Sequence, residues 1–231
     1  MISLYDLHIT YKKIFVIILK KYILMWRIIL FRKLIYFVIC IISNDIKAAV
    51  RLNEIQYIGT HNSYKKSTHP KIFEFLEKNF KELAENLDYS HLPILEQLEK
   101  LGVRHFEFDL YEDRDGGRFT SRKALEYLGG EKDIESDLEE LQKPGFKVMH
   151  VPEIDYRSNN LSFRSCLFEI KNWSLKNKNH LPIMILIELK DDHIPDPLNL
   201  GFSQPRKADL STLDSIDKEI LSVFTKDNII T

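Results

Sequence analysis

VRHFEFDLY, Val103–Tyr111, is the stretch on which the fold turns. Aromatic and β-branched residues dominate it. Phe106, Phe108 and Leu110 share one parity, and Glu107 and Asp109 share the other. Side chains alternate between the two faces of a strand, so this reads as a strand with one apolar face and one doubly acidic face. The apolar face requires a core. A lone Glu-x-Asp in a strand is most simply an exposed alternation. The meaning of the acidic pair therefore depends on what neighbouring strands bring to it.

Upstream, IQYIG (55–59) reads as a first strand that runs into GTHNSY, Gly59–Tyr64. Downstream, EDRDGG (112–117) is a turn-rich loop. FKVMHV (146–151) reads as a third strand and LPIMILIEL (181–189) as a fourth. The fourth is apolar at nearly every position, as strands covered on both faces are. Helical patterns lie between. Pro70 opens a segment whose Ile72, Phe75, Leu76, Phe80, Leu83 and Leu87 form one face. Ile94, Leu95, Leu98 and Leu101 form a shorter face stopped by Gly102. Ser162 or an adjacent Asn caps a helix carrying Phe163, Cys166, Leu167, Ile170 and Trp173. Asp209 or Ser211 caps a last helix with Leu213, Ile216, Ile220, Leu221 and Phe224. Alternating strands and helices predict an α/β fold with parallel pairing.

The chain has 231 residues, 44% of them hydrophobic and 29% charged, which is a globular composition. Residues 1–50 hold eight basic and two acidic residues; residues 51–231 hold 25 and 32. A mildly acidic body argues against nucleic acid as a partner, since phosphate binding needs clustered positive charge. Two cysteines, Cys40 and Cys166, exclude an internal disulfide framework, and Cys166 reads as a buried thiol. Residues 14–42 are apolar but broken by basic residues, and no run reaches the ~20 needed to span a bilayer. The nine apolar residues Leu34–Ile42 follow Arg32 and Lys33, the shape of a signal peptide. Residues 1–50 are thus expected to be a signal peptide or a membrane-associated leader, with Met25 an alternative start. Either reading makes the protein secreted or associated with the cell envelope.

Polar groups gather at the same end of all four strands: His61 and Asn62, Glu107 and Asp109, His150, then Glu188 and Lys190. Residues i and i+2 of a strand share a face, so each charged pair converges on one side. Taken singly, each group has an ordinary structural reading. Their recurrence at four successive strand ends points instead to a site. Three carboxylates and an amide oxygen suit a hard cation, Ca²⁺ or Mg²⁺. Lys190 or that ion would offset the repulsion among the carboxylates. Two histidines can serve as base and acid. A metal, two histidines and a lysine together point to phosphodiester cleavage. DRDGG (113–117) lacks the ligand spacing of an EF-hand.

GTHNSY, YSHLPILEQLEKLGVRHFEFDLYEDRDGGRF, PGFKVMHVPEIDYRS and WSLKNKNHLPIMILIELKD, in that order, resemble the calcium-dependent phosphoinositide phospholipase C family of bacterial and fungal type. The resemblance runs from about Asn53 to Thr231. It implies a TIM-type (β/α)8 barrel, of which residues 51–231 hold about the first four β/α units. It also implies that His61 and His150 are catalytic and that Lys190 lies near the substrate phosphate. Asn62, Glu107, Asp109 and Glu188 are implied as ligands of Ca²⁺. The implied reaction cleaves phosphatidylinositol-type lipids at a membrane surface into diacylglycerol and a cyclic inositol phosphate. Many members carry a cysteine where this chain has Asn160. The chain is expected to be one half of a split protein, with a complementary C-terminal half as partner, or a decayed fragment. Two alternatives remain at this point: a glycerophosphodiester phosphodiesterase or sphingomyelinase D-like enzyme, and a non-catalytic fragment that binds lipid or a partner half.

Overall fold

A computed structural model describes residues 30, 32–33, 51–130 and 138–225. The leader, with Met25 and Cys40, lies almost wholly outside the described residues. None of the described helices is long and apolar enough to cross a membrane. Residues 1–56 and 57–231 form separate compact units. In the first, the described residues include a 3-10 turn, Leu52–Glu54. The second holds every candidate site residue.

Strand β1 is Gly59–Thr60, shorter and later than the 55–59 expected. Next come helices α1 (Pro70–Asn79), α2 (Lys81–Leu87) and α3 (Ile94–Lys100). Strand β2 is His105–Asp113. Short helices α4 (Lys123–Tyr127) and α5 (Leu138–Gln142) precede β3 (Gly145–Val148). Helix α6 (Phe163–Lys176), strand β4 (Met184–Leu189) and helix α7 (Leu210–Val223) complete the described elements.

Among the described residues the sheet is open and has four strands, with β2 at its centre. The α/β class holds, and three strands are parallel as expected: β1 and β4 both run alongside β2. The expectation of parallel pairing fails for β3. It runs antiparallel, with Leu110 opposite Val148 and Asp113 opposite Gly145. A parallel return needs a crossover of a dozen or more residues, usually a helix. Among the described residues, the segment between β2 and β3 holds two five-residue helices and no long crossover helix.

His105 pairs with both Gly59 and Met184, and Leu110 pairs with both Val148 and Leu189. Hence β4 takes one flank of β2, while β1 and β3 share the other. β1 climbs that flank from below and β3 descends it from above. The two strands point their C-terminal ends at the middle of β2.

Phe106, Phe108 and Leu110 are fully buried, as their parity predicts. They pack with α3, α6 and α7 through Ile94, Leu98, Phe163, Leu167, Ile170 and Ile216. The five residues predicted to line α6 are all buried, and Ser162 caps it by accepting from the Ser165 N–H. Each such side chain contributes ~1.5–3 kcal/mol by leaving water. Cys166 is buried and reduced, 3.9 Å from the Asn160 carbonyl.

Three helical or strand expectations need correction. The single face from Ile72 to Leu87 is two helices, because Phe80 leaves helical geometry at φ −145°. Asp209 caps α7 as one of the two candidates, yet Leu213 and Leu221 stay exposed. β4 is not covered on both faces. Met184, Leu186 and Glu188 lie open, and Ile185, Ile187 and Leu189 pack inward. It is an edge strand among the described elements, and its open face is the one that carries Glu107 and Asp109 on β2.

Candidate active site

The site begins where β1 ends. Gly59 allows a close approach there: a Cβ on it would stand 3.0 Å from the Cβ of His105. The bend itself comes three residues later, at Asn62, whose φ is +49°. Asparagine tolerates this left-handed geometry better than most residues. The turn is held by buried Gln97, whose side-chain amide donates to the Ser63 and Leu92 carbonyls at 2.6 Å. Ser63 clips the turn to β2: its N–H donates to the Glu107 carbonyl, and its hydroxyl accepts from the Glu107 N–H. The bend lets His61 and Asn62 leave the strand's strict alternation.

Glu107, Asp109 and Glu188 offer carboxylate oxygens that all lie within 4.8 Å of one another. The sheet register explains this, because Asp109 sits directly opposite Glu188 and Glu107 is two residues away on the same face. Lys190 stands between them, 2.6 Å from Glu188 Oε1 and 3.2 Å from Asp109 Oδ2. Burial alone would lower the Lys190 pKa, but Glu188 and Asp109 outweigh it and hold the ammonium above its ordinary value. Burial raises the Asp109 carboxyl, against the pull of Lys190 and Tyr64 and with Glu188 adding to the rise. Asp109 is fully buried, yet neither of its oxygens completes a well-formed hydrogen bond.

This arrangement fits a divalent cation. Three carboxylates against one ammonium leave a formal −2, the donors are hard oxygens, and a buried carboxylate is short of partners. His61 reaches toward the same group: its Nε2 is 3.8 Å from Glu107 Oε1, with the ring 72% exposed. Asn62 is buried. Its Oδ1 accepts from the Tyr64 hydroxyl at 2.9 Å, and its amide donates to the Tyr89 hydroxyl. Tyr64 lies next to Asp109, which helps raise its pKa after burial. Asn62 is thus tied to the cluster through one tyrosine.

His150 arrives from the other direction. Continuing the antiparallel register of β3 brings it level with the middle of β2. Its carbonyl accepts from the Tyr111 hydroxyl at 2.8 Å, and Tyr111 is close enough to Asp109 and Glu188 for both to raise its pKa, after burial. The His150 Nδ1 is 2.9 Å from Asp155 Oδ2.

Asp155 was not among the residues picked out from sequence, and neither was Lys65. Both are fully buried, and they form an ion pair of 3.3 Å. Thr68 donates to the same carboxylate at 2.6 Å. Lys65 also donates to the Leu87 and Tyr89 carbonyls and lies over the Tyr89 ring. Burial lowers its pKa, with Asp155 opposing. A lysine just after a polar turn reads as solvated, so only the tertiary structure shows its burial. The one local signal for Asp155 was its place five residues after His150.

A mostly parallel α/β sheet with carboxylates, a lysine and two histidines gathered about its central strand has the layout of a hydrolase site. Family comparison makes the class definite. The family model for phosphoinositide phospholipase C, Ca²⁺-dependent, matches residues 50–231, and the chain belongs to that family. The match does not favour the other phosphodiesterase classes or a non-catalytic fragment. Neither the curated proteins nor the solved structures gave a match.

Proposed function

We propose that this chain cleaves phosphatidylinositol-type lipids at a membrane surface, assisted by calcium held by Glu107, Asp109 and Glu188, with Asn62 completing the ligand set. The observation that carries the reading is the carboxylate cluster with Lys190 beside it, in a chain of this family. Bound calcium would lower the pKa of the attacking hydroxyl and balance negative charge on the phosphoryl group. The chain's own residues supply the rest. His61 takes the proton of the inositol 2-hydroxyl as its oxygen bonds to phosphorus. The bond from phosphorus to the glyceryl oxygen breaks, and His150 delivers a proton to that oxygen. Asp155, 2.9 Å from the His150 Nδ1, orients the ring for this role. Lys190 moves from the carboxylates to a phosphate oxygen when substrate and ion enter. The products are diacylglycerol and a cyclic inositol phosphate.

We further infer that the sheet is the first part of a TIM-type barrel of the bacterial or fungal kind, in an exported protein. The open face of β4, with Met184 and Leu186 exposed, supports a complementary half closing the barrel. Release of inositol phosphate from phosphatidylinositol vesicles, in calcium and in chelator, tests the activity. The expected result is release in calcium only, lost in His61→Ala and in His150→Ala. Equal release in chelator, or release unaffected by both substitutions, would overturn the assignment.

A further inference from the structure

Beside His150 a second apolar cluster, which includes Ile72, Leu76, Leu87 and Ile194, opens into a cavity of about 430 Å³. Its walls come from α1 and α2, from α4 and from the loop around Ile194–Phe202. They are hydrocarbon almost throughout. The one carboxylate among the lining residues, on Asp196, is turned onto the N–H groups of Leu200, Gly201 and Phe202. Phe80, Leu83, Tyr127 and Leu198 line it while remaining about half exposed to solvent. Apolar side chains are seldom left in such a group unless something covers them.

We propose that this cavity seats one hydrocarbon chain of the lipid leaving group. The proposal rests on the phosphodiesterase reading, in which the glyceryl oxygen departs past His150. His150 belongs to the cavity wall as well as to the site, so an apolar remainder attached to that oxygen has a direct way in. The volume falls within the ~300–1,000 Å³ of ordinary ligand sites. The lining also selects the occupant. A peptide segment would bury amide groups for which the walls offer almost no hydrogen-bond partners, which is costly. An alkyl chain has none to satisfy. A bilayer surface alone would meet Phe80 and Leu83 at the rim and leave the interior empty.

Calorimetric titration of the purified chain with monoacylglycerols of increasing length, below their micelle concentration, reads the seat without requiring turnover. Affinity should rise about fourfold per added methylene, the equivalent of ~0.8 kcal/mol, and level off once the cavity is full. Ala124→Trp fills the cavity from α4. Phe80→Ser with Leu83→Ser strips the half-exposed rim, and circular dichroism checks that the variants keep the parent's fold. Both variants should flatten the dependence on chain length. Both should leave cleavage of methylphosphoinositol, which has no chain, within twofold of the parent. Affinity indifferent to chain length in the parent, or an unchanged dependence in both variants, would overturn the proposal. So would an effect confined to vesicle adsorption, which would make the rim a bilayer contact only. If chain-length dependence holds but neither substrate is cleaved, the activity assignment fails and the chain seat stands.

Discussion

Replacing Asp109 with asparagine removes a negative charge from a side chain that is fully buried and lacks a completed hydrogen bond in the ion-free protein. Burial raises the pKa of this carboxyl, and Lys190 and Tyr64 only partly oppose it. The folded protein therefore keeps the proton to a higher pH than the unfolded chain does. The contribution of Asp109 to ion-free stability is greatest below the ordinary carboxylate range and falls as pH rises through the raised value. At neutral pH the parent carries a penalty that asparagine lacks. A buried group left short of partners costs ~1–3 kcal/mol when neutral and more when charged, so asparagine keeps the first part and loses the second. Lys190 at 3.2 Å offsets part of that, so a gain of about 1 kcal/mol is expected. In a domain of this size it corresponds to a rise of ~2–4 °C in Tm. Calcium reverses the order. An ion that binds only the folded state adds ~2.7 kcal/mol at a hundredfold excess over its Kd, and the variant gains little of this. Urea unfolding followed by circular dichroism, in chelator and in calcium, reads both halves. The variant should be the more stable protein in chelator, with a flatter pH dependence, and the less stable one in calcium. A variant that is destabilised in chelator and still takes the full calcium gain would refute the reasoning. Asp109 would then be a structural partner of Lys190 and not an ion ligand.

Asp155→Asn should cost ~3–5 kcal/mol of stability, because it strands Lys65 as a buried charge. Adding Lys65→Met should recover part of that stability, read by urea unfolding. The cleavage rate should stay low, because the His150 brace is still missing. Lys190→Met should tighten calcium binding by removing a cation that competes for Glu188 and Asp109, while lowering turnover on vesicles. Calorimetry and the vesicle assay read the two effects separately. Asn160→Cys puts a second thiol on a residue whose backbone carbonyl lies 3.9 Å from Cys166 Sγ. Oxidation, followed by thiol titration, should close the short loop and add about 2 kcal/mol to stability.

Side-chain parity is a local property, and it was legible. VRHFEFDLY gave up both of its faces, Glu188 and Lys190 share a side as their spacing required, and the face of α6 matched residue for residue. Strand direction is not local. FKVMHV has the same composition whether it runs with β2 or against it, and among the described residues only short helices lie between them. Exposure of Met184 and Leu186 was hidden for a related reason: an apolar run does not say how many of its faces are covered. The antiparallel course of β3 matters for more than topology. A parallel β3 would end beyond Asp113, away from Glu107 and Asp109. Running back down the flank that β1 occupies, it delivers His150 toward the residues that His61 approaches from below. Ser63 and the Glu107 carboxylate hold His61 to the middle of β2, and the Tyr111 hydroxyl holds the His150 backbone there, so two strands of opposite direction bring both histidines to one central strand.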